Sequence, residues 1–245
     1  MPKPLIEVTI SCMLLRKIIL FGDSLTEWSF EEHSFGIFLQ QYYAGKADAV
    51  NKGQNLLDTS RFQLILVHAQ KYDEPPLFIT IFLGANYACL PDHGMASVPL
   101  EEFEENLRAY VDVVLTASGW EGTKVILITP PPINIRAPRQ SNISIGPVGQ
   151  RSSHSRERRA FANDALDKKG RAKIQNGEFD YDEDRLPGCG LKTASEFQQG
   201  IFTDGLHLDR LGYGILFREF MNLLLAKWPE LARDQVETRV TARSR

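Results

Sequence analysis

The chain has 245 residues, 43% of them hydrophobic, and a formal net charge of -3. That is enough apolar material to bury the core of one α/β domain, and no basic excess points to a nucleic-acid partner. Its three cysteines, Cys12, Cys89 and Cys189, are odd in number and widely spaced. Such a set is neither a disulfide framework nor a zinc site, and the natural reading is a reducing, cytoplasmic setting.

Residues 4–15 are fairly apolar but carry Glu7 and no small-residue cleavage site. They are too short to span a membrane and read as an extension into the first strand rather than as a secretory signal. No other run is apolar and long enough for a transmembrane helix, so stable membrane insertion is not expected. The run RKIILF, residues 16–21, predicts a buried strand that ends in Gly22-Asp23-Ser24. Phe35, Phe38, Leu39 and Tyr42 are spaced as on a helix, and residues 47–51 read as a short second strand closed by Gly53. Residues 60–72 look helical, with Thr59 or Ser60 as the cap.

LFITIFL, residues 77–83, is the strongest strand signal, continuous and apolar as a strand buried on both faces should be. A long helix over 99–117 follows, then a strand over 124–129 that stops at three prolines, and a final amphipathic helix over 211–228. The tail after Ala232 is polar. The implied division is an extension at 1–15, one domain over 16–231 and a polar tail at 232–245. Strands alternating with helices imply parallel pairing and right-handed crossovers, hence a three-layer α/β/α sandwich. The basic run at 151–159 and the acidic patch at 180–184 read as a solvated helix face and a surface loop, not as a polyanion or metal site.

In open parallel sheets, ligands bind outside the carboxyl ends of the strands. Ser24, Gly53 and Asn86 each follow a predicted strand, so the fold would gather them on one rim. Gly22-Asp23-Ser24 alone is as readily a helix-capping turn as a nucleophile. Asp204 and His207 add weight, because a carboxylate three residues before an imidazole can hold one ring nitrogen and leave the other free to take a proton from a serine. Gly53 can offer an unobstructed backbone N–H, and Asn86 an amide, to the oxyanion of acyl transfer. Taken singly, each of these two is better read as a turn residue.

The sequence resembles the GDSL/SGNH hydrolases. FGDSLTEWSF carries Ser24, NKGQ carries Gly53, FLGANYACLP carries Asn86, and FTDGLHLDRLGY carries Asp204 and His207, in the family's order. Within the family it is most similar to the isoamyl acetate-hydrolysing esterase branch, over most of residues 16–230. The resemblance implies a flavodoxin-like sheet of about five parallel strands, with Ser24 as nucleophile, His207 as general base and Asp204 as its orienting acid. The Ser24 and Gly53 N–H groups and the Asn86 side chain would form the oxyanion hole. No metal and no cofactor are implied. The expected substrate is a small short-acyl ester such as isoamyl acetate, released through an acyl-enzyme. Lysophospholipase, thioesterase or sugar O-deacetylase activity on the same fold, or a non-catalytic binding role, are the alternatives.

The sequence departs from its look-alikes in four places. Leu56-Leu57-Asp58-Thr59 replaces a common Gly-Tyr-Asn-Thr, Tyr87 replaces an acid after Asn86, and Asn134 replaces an acid after the prolines. Between a predicted helix at 157–166 and the DGLH block, residues 170–195 hold no run of β-branched or aromatic residues. The fifth strand is therefore expected to be missing or irregular, with that segment forming a long loop.

Overall fold

The computed structural model describes residues 11–54, 74–85, 100–131, 197–237 and 239–242. A short strand, β1 (Ser11–Leu14), leads after one residue into β2 (Arg16–Gly22). Ser24–Glu27 form a single-turn helix, α1, continued by a 3-10 turn at Trp28–Phe30, and α2 spans Phe35–Tyr42. Then come β3 (Ala47–Gly53), β4 (Phe78–Phe82), α3 (Leu100–Thr116), β5 (Lys124–Ile128) and α4 (Arg210–Lys227). A 3-10 turn at Pro229–Leu231 and the strand β6 (Arg239–Ala242) close the described chain.

The main sheet runs in the order β3-β2-β4-β5, and every pairing is parallel. These are the four strands expected from the sequence. Ile18, Ile19, Leu20 and Phe21 are all completely buried, because helices cover both faces of β2. The two-residue period of a strand divides them. Ile18 and Leu20 join Phe78 and Phe82 in a layer with Phe35 and Leu39 of α2 and Tyr213, Leu216 and Phe220 of α4. Ile19 and Phe21 join Ile79 and Ile81 against Phe103, Leu107, Tyr110 and Val114 of α3. The result is the expected α/β/α sandwich. Aromatic edges stitch both layers, with Phe35 on Phe220 at 5.2 Å between centroids and Phe21 on Tyr110 at 5.9 Å.

Register brings the strand ends to one level. Gly22 lies opposite Gly53 on one side and Phe82 on the other. The rim above these ends is where the candidate site residues gather. The helices expected over 60–72 and 157–166 and the segment over 170–195, expected to be a long loop, lie outside the described residues.

The two stretches that the sequence sets apart as extension and tail meet each other. β1 and β6 pair antiparallel, Ser11 opposite Ala242 and Leu14 opposite Arg239. Neither four-residue stretch announces this, since a two-stranded ribbon draws its order from the partner strand.

Tyr43 ties the chain following α4 to the sheet layer. Its ring is fully buried and its hydroxyl donates to the Leu231 carbonyl at 2.7 Å. Burial pushes the Tyr43 hydroxyl well above the usual phenol range, so it stays a donor across the working pH range. Tyr43→Phe leaves that carbonyl without its donor and should lower unfolding stability by about 1 kcal/mol with the fold intact. Urea denaturation with unchanged far-UV circular dichroism checks this.

Candidate active site

The site is built on a strand that ends in a residue without a side chain. A Cβ on Gly22 would collide with the Thr26 hydroxyl and with the Phe82 carbonyl of the neighbouring strand. The chain can therefore turn tightly from β2 into α1. Asp23 caps that helix, its Oδ1 accepting from the Leu25 N–H at 3.1 Å, while its own N–H donates to Phe82 O at 3.2 Å. Ser24 is the first residue of α1, so its N–H has no acceptor within the helix. Tyr213 of α4 reaches across to the same turn and donates to the Leu25 carbonyl at 2.7 Å.

The second half of the site comes from the turn before α4. The Phe202–Leu208 bridge and the bond from Thr203 N–H to His207 O, 3.0 Å, close a tight loop around Asp204-Gly205-Leu206-His207. Gly205 sits at φ 91°, a left-handed conformation that a Cβ disfavours. Asp204 Oδ1 accepts from the N–H groups of both Leu206, at 2.9 Å, and His207, at 2.8 Å. Its other oxygen, Oδ2, stands 2.7 Å from His207 Nδ1. α4 presses on this loop, for a Cβ on Gly212 would collide with the Ile201 carbonyl.

The two halves meet where His207 Nε2 lies 2.9 Å from Ser24 Oγ, across 183 residues of sequence. Both side chains are buried. Burial pulls the Asp204 carboxyl upward, but the His207 and Leu206 amides and the imidazole outweigh it and hold it below its ordinary value. An ionised Asp204 accepts, so the proton of the imidazole sits on Nδ1. Nε2 is then left to accept from the Ser24 hydroxyl.

Gly53 is placed differently from the expectation. Its N–H is not an open donor, because it donates to Asn51 Oδ1 at 2.8 Å, while Asn51 Nδ2 donates to the Glu27 carbonyl at 2.8 Å. Gly53 is needed for another reason as well. A Cβ there would run into the backbone of Thr26 and Glu27, so its absence lets the end of β3 lie against α1. Asn86 lies outside the described residues, as do Leu56-Leu57-Asp58-Thr59, Tyr87 and Asn134. Ala85, which precedes Asn86, is buried just beyond the end of β4.

Three neighbours of the site escape a reading by motif. Asn51 is two residues from Gly53 and clamps β3 to α1. Trp28 stacks on the His207 ring, with centroids 3.8 Å apart and planes 29° apart. The available signal was its position four residues after Ser24, on the same side of a helical turn. Asp23 is the third, a carboxyl almost wholly buried whose Oδ2 has no hydrogen-bond partner among the described residues. Burial raises its pKa from 3.8 to about 6, against the opposing pull of the Leu25, Ala85 and Gly84 amides and of His207. Among the described residues no group of three His, Cys, Asp or Glu side chains could hold a metal, and no helix is long and apolar enough to cross a membrane.

The folded chain thus binds the Asp23 proton more tightly than the unfolded chain does. The cost of burying the charge is absent below about pH 4, grows between there and pH 6, and is complete above it, at about 3 kcal/mol if the whole shift is realised. Asp23→Asn keeps an oxygen for the Leu25 N–H and removes the titration. Melting temperature followed from pH 4 to 7.5 should therefore fall for the parent chain relative to Asp23→Asn, with the difference developing below pH 6 and constant above it.

The pattern that defines the GDSL-like lipase/acylhydrolase family matches residues 18–220. A GDSL esterase/lipase of Arabidopsis thaliana is 32% identical over 84% of this chain and 85% of its own length. An isoamyl acetate-hydrolyzing esterase of Saccharomyces cerevisiae is 30% identical over 87% of this chain and 88% of its own. Among solved structures, a carbohydrate acetylesterase family member from Sinorhizobium meliloti shares the fold with a TM-score of 0.51 and 17% identity, over 86% of this chain and 98% of that one. With the match reaching from β2 into α4, the chain belongs to the GDSL-like lipase/acylhydrolase family and is a carboxylic ester hydrolase.

Proposed function

We propose that the chain is a serine esterase for small, short-acyl esters, acetate esters such as isoamyl acetate among them. The observation that carries the reading is the continuous line from Asp204 Oδ2 through the His207 ring to Ser24 Oγ, with links of 2.7 and 2.9 Å. The resemblance of the whole domain to an isoamyl acetate-hydrolyzing esterase supports the substrate class.

In this reading His207 Nε2 takes the Ser24 proton as Oγ attacks the ester carbonyl. The tetrahedral intermediate collapses when the same nitrogen returns the proton to the departing alkoxide, leaving an acyl-serine and a free alcohol. Water then attacks the acyl carbon with His207 as base and releases the acid. Asp204, held ionised by its two amide donors, keeps the imidazole in the required tautomer. The N–H of Ser24 is the donor we assign to the developing oxyanion, with the Asn86 amide as its proposed companion. Gly53 can contribute its N–H only by giving up Asn51 Oδ1.

Ser24→Ala should abolish turnover of p-nitrophenyl acetate and labelling by a fluorophosphonate serine probe, with the fold retained. His207→Ala should cost about as much, since nucleophile and base act as one unit, and Asp204→Asn less, since its role is orientation. Parent-like rates in Ser24→Ala would overturn the assignment.

The bulk of Leu56 and Leu57, where look-alikes carry smaller or turn-forming residues, supports a short acyl pocket. Each poorly fitted methylene shifts discrimination by about 1–3 kcal/mol. A series of p-nitrophenyl esters should show its highest kcat/KM at acetyl or butyryl; an optimum at dodecanoyl or beyond excludes the short-acyl reading.

A further inference from the structure

Every edge of the His207 ring that can form a hydrogen bond is in use. Nδ1 meets Asp204 and Nε2 meets Ser24. Only the two faces of the ring remain. One is covered by the indole of Trp28, at 3.8 Å between centroids and 29° from parallel. This is contact along the ring faces, not an edge approach.

The sequence explains how Trp28 arrives there. It follows α1 directly, and its N–H donates to the carbonyl of Ser24, four residues back. Residues four apart on a helix lie on one side. The side that turns Ser24 Oγ toward the imidazole therefore turns Trp28 toward it too. The surrounding turn is fixed by Asp23 at its head and by Tyr213 on the Leu25 carbonyl, so the indole has a firm base. Even so, 37% of Trp28 is exposed, in a chain where few large apolar side chains of the described residues are. An indole left half in water beside a buried histidine is poorly explained by core packing alone.

We propose that Trp28 is a positioning residue for the reaction, its indole face holding the His207 ring in line between Asp204 and Ser24 and stabilising the imidazolium that forms when Ser24 loses its proton. The proposal rests on the esterase reading given above. Two consequences follow from the stacking. Rotation of the imidazole about its Cβ–Cγ bond, which would break both of its hydrogen bonds, would drive it through the indole. And the indole face carries the negative end of an aromatic quadrupole, which attracts a cation above it but leaves a neutral imidazole nearly indifferent. The interaction strengthens as the proton moves, and such interactions raise kcat more than they change KM.

Two carboxylates also face His207, Asp204 on its own turn and Asp23 at the head of α1. Substitution at Trp28 changes neither. A shift in pH dependence that appears on removing the indole is therefore attributable to the indole, and running the same profile in an Asp23→Asn background removes the contribution of the Asp23 carboxyl, whose pKa burial raises to about 6.

The test is a pair of variants with two readouts. Trp28→Phe keeps an aromatic face, whereas Trp28→Leu keeps bulk without one. On p-nitrophenyl acetate, Trp28→Leu should lose about tenfold in kcat with KM little changed, as expected for loss of a cation–aromatic contact. The acid limb of its kcat/KM profile should move to lower pH. Trp28→Phe should restore most of both. The second readout needs no turnover, because a protonated imidazole stacked on indole quenches its emission. The difference in fluorescence between the parent chain and Trp28→Phe should titrate with the same midpoint as the acid limb, and His207→Ala should abolish that titration. Parent-like kcat and an unmoved acid limb in Trp28→Leu would overturn the proposal while leaving the esterase reading intact. So would a Trp28 emission that titrates identically in His207→Ala. A parent chain that hydrolyses no ester overturns both.

Discussion

The site depends on a close approach of backbone to backbone at the end of β2. Gly22 and Gly53 face each other in register at the top of neighbouring strands, and neither has room for a Cβ. With side chains removed at these two points, α1 sinks onto the sheet and the first residue of the helix, Ser24, stays at the rim while buried. Interiors are packed as tightly as organic crystals, so a helix cannot hover at an intermediate height. The 2.9 Å separation of Ser24 from His207 follows from where α1 comes to rest. The helix that follows the His207 loop is set in the same way, through Gly212 against the Ile201 carbonyl.

Two carboxyls flank one imidazole and are driven in opposite directions. Asp204 lies in a loop rich in inward-pointing amides and is held ionised. Asp23 lies between the sheet and α1, with one oxygen left without a partner among the described residues, and burial favours its neutral form. The charged carboxylate of Asp204 fixes the imidazole tautomer by accepting from Nδ1. The second carboxyl interacts with the same imidazole through its charge. Burial weakens that interaction over part of the pH range without removing the cap that Asp23 provides to α1.

Much of this was legible in the sequence because its signals are physically redundant. A continuous apolar run such as 77–83 has few outcomes other than a strand covered on both sides, and the run at 16–21 followed by Gly-Asp-Ser fixes both a strand and its exit. The meeting of Ser24, Asp204 and His207 was legible because the residue types and their order suggest it. Gly53 was legible as a glycine that matters, but the pairing of its N–H with Asn51 was not. The pairing of its N–H depends on Asn51 folding back over two residues, a local competition that residue types alone do not decide. Trp28 and the unpartnered oxygen of Asp23 were hidden for a different reason. Each acquires its meaning only when α4 and the loop before it arrive from 180 residues away. The antiparallel meeting of β1 and β6 was hidden likewise, being a contact between the most distant parts of the described chain.

That meeting has a practical geometry. β1 joins β2 at the edge where the parallel strands begin, and the chain reaches β6 past Leu231 and Val236, which are hydrogen-bonded to Tyr43 and Lys46 just before β3. The rim that carries Ser24 is at the other edge, where the strands finish. The paired stretches Ser11–Leu14 and Arg239–Ala242 therefore connect to the sheet at the end opposite the rim that carries Ser24.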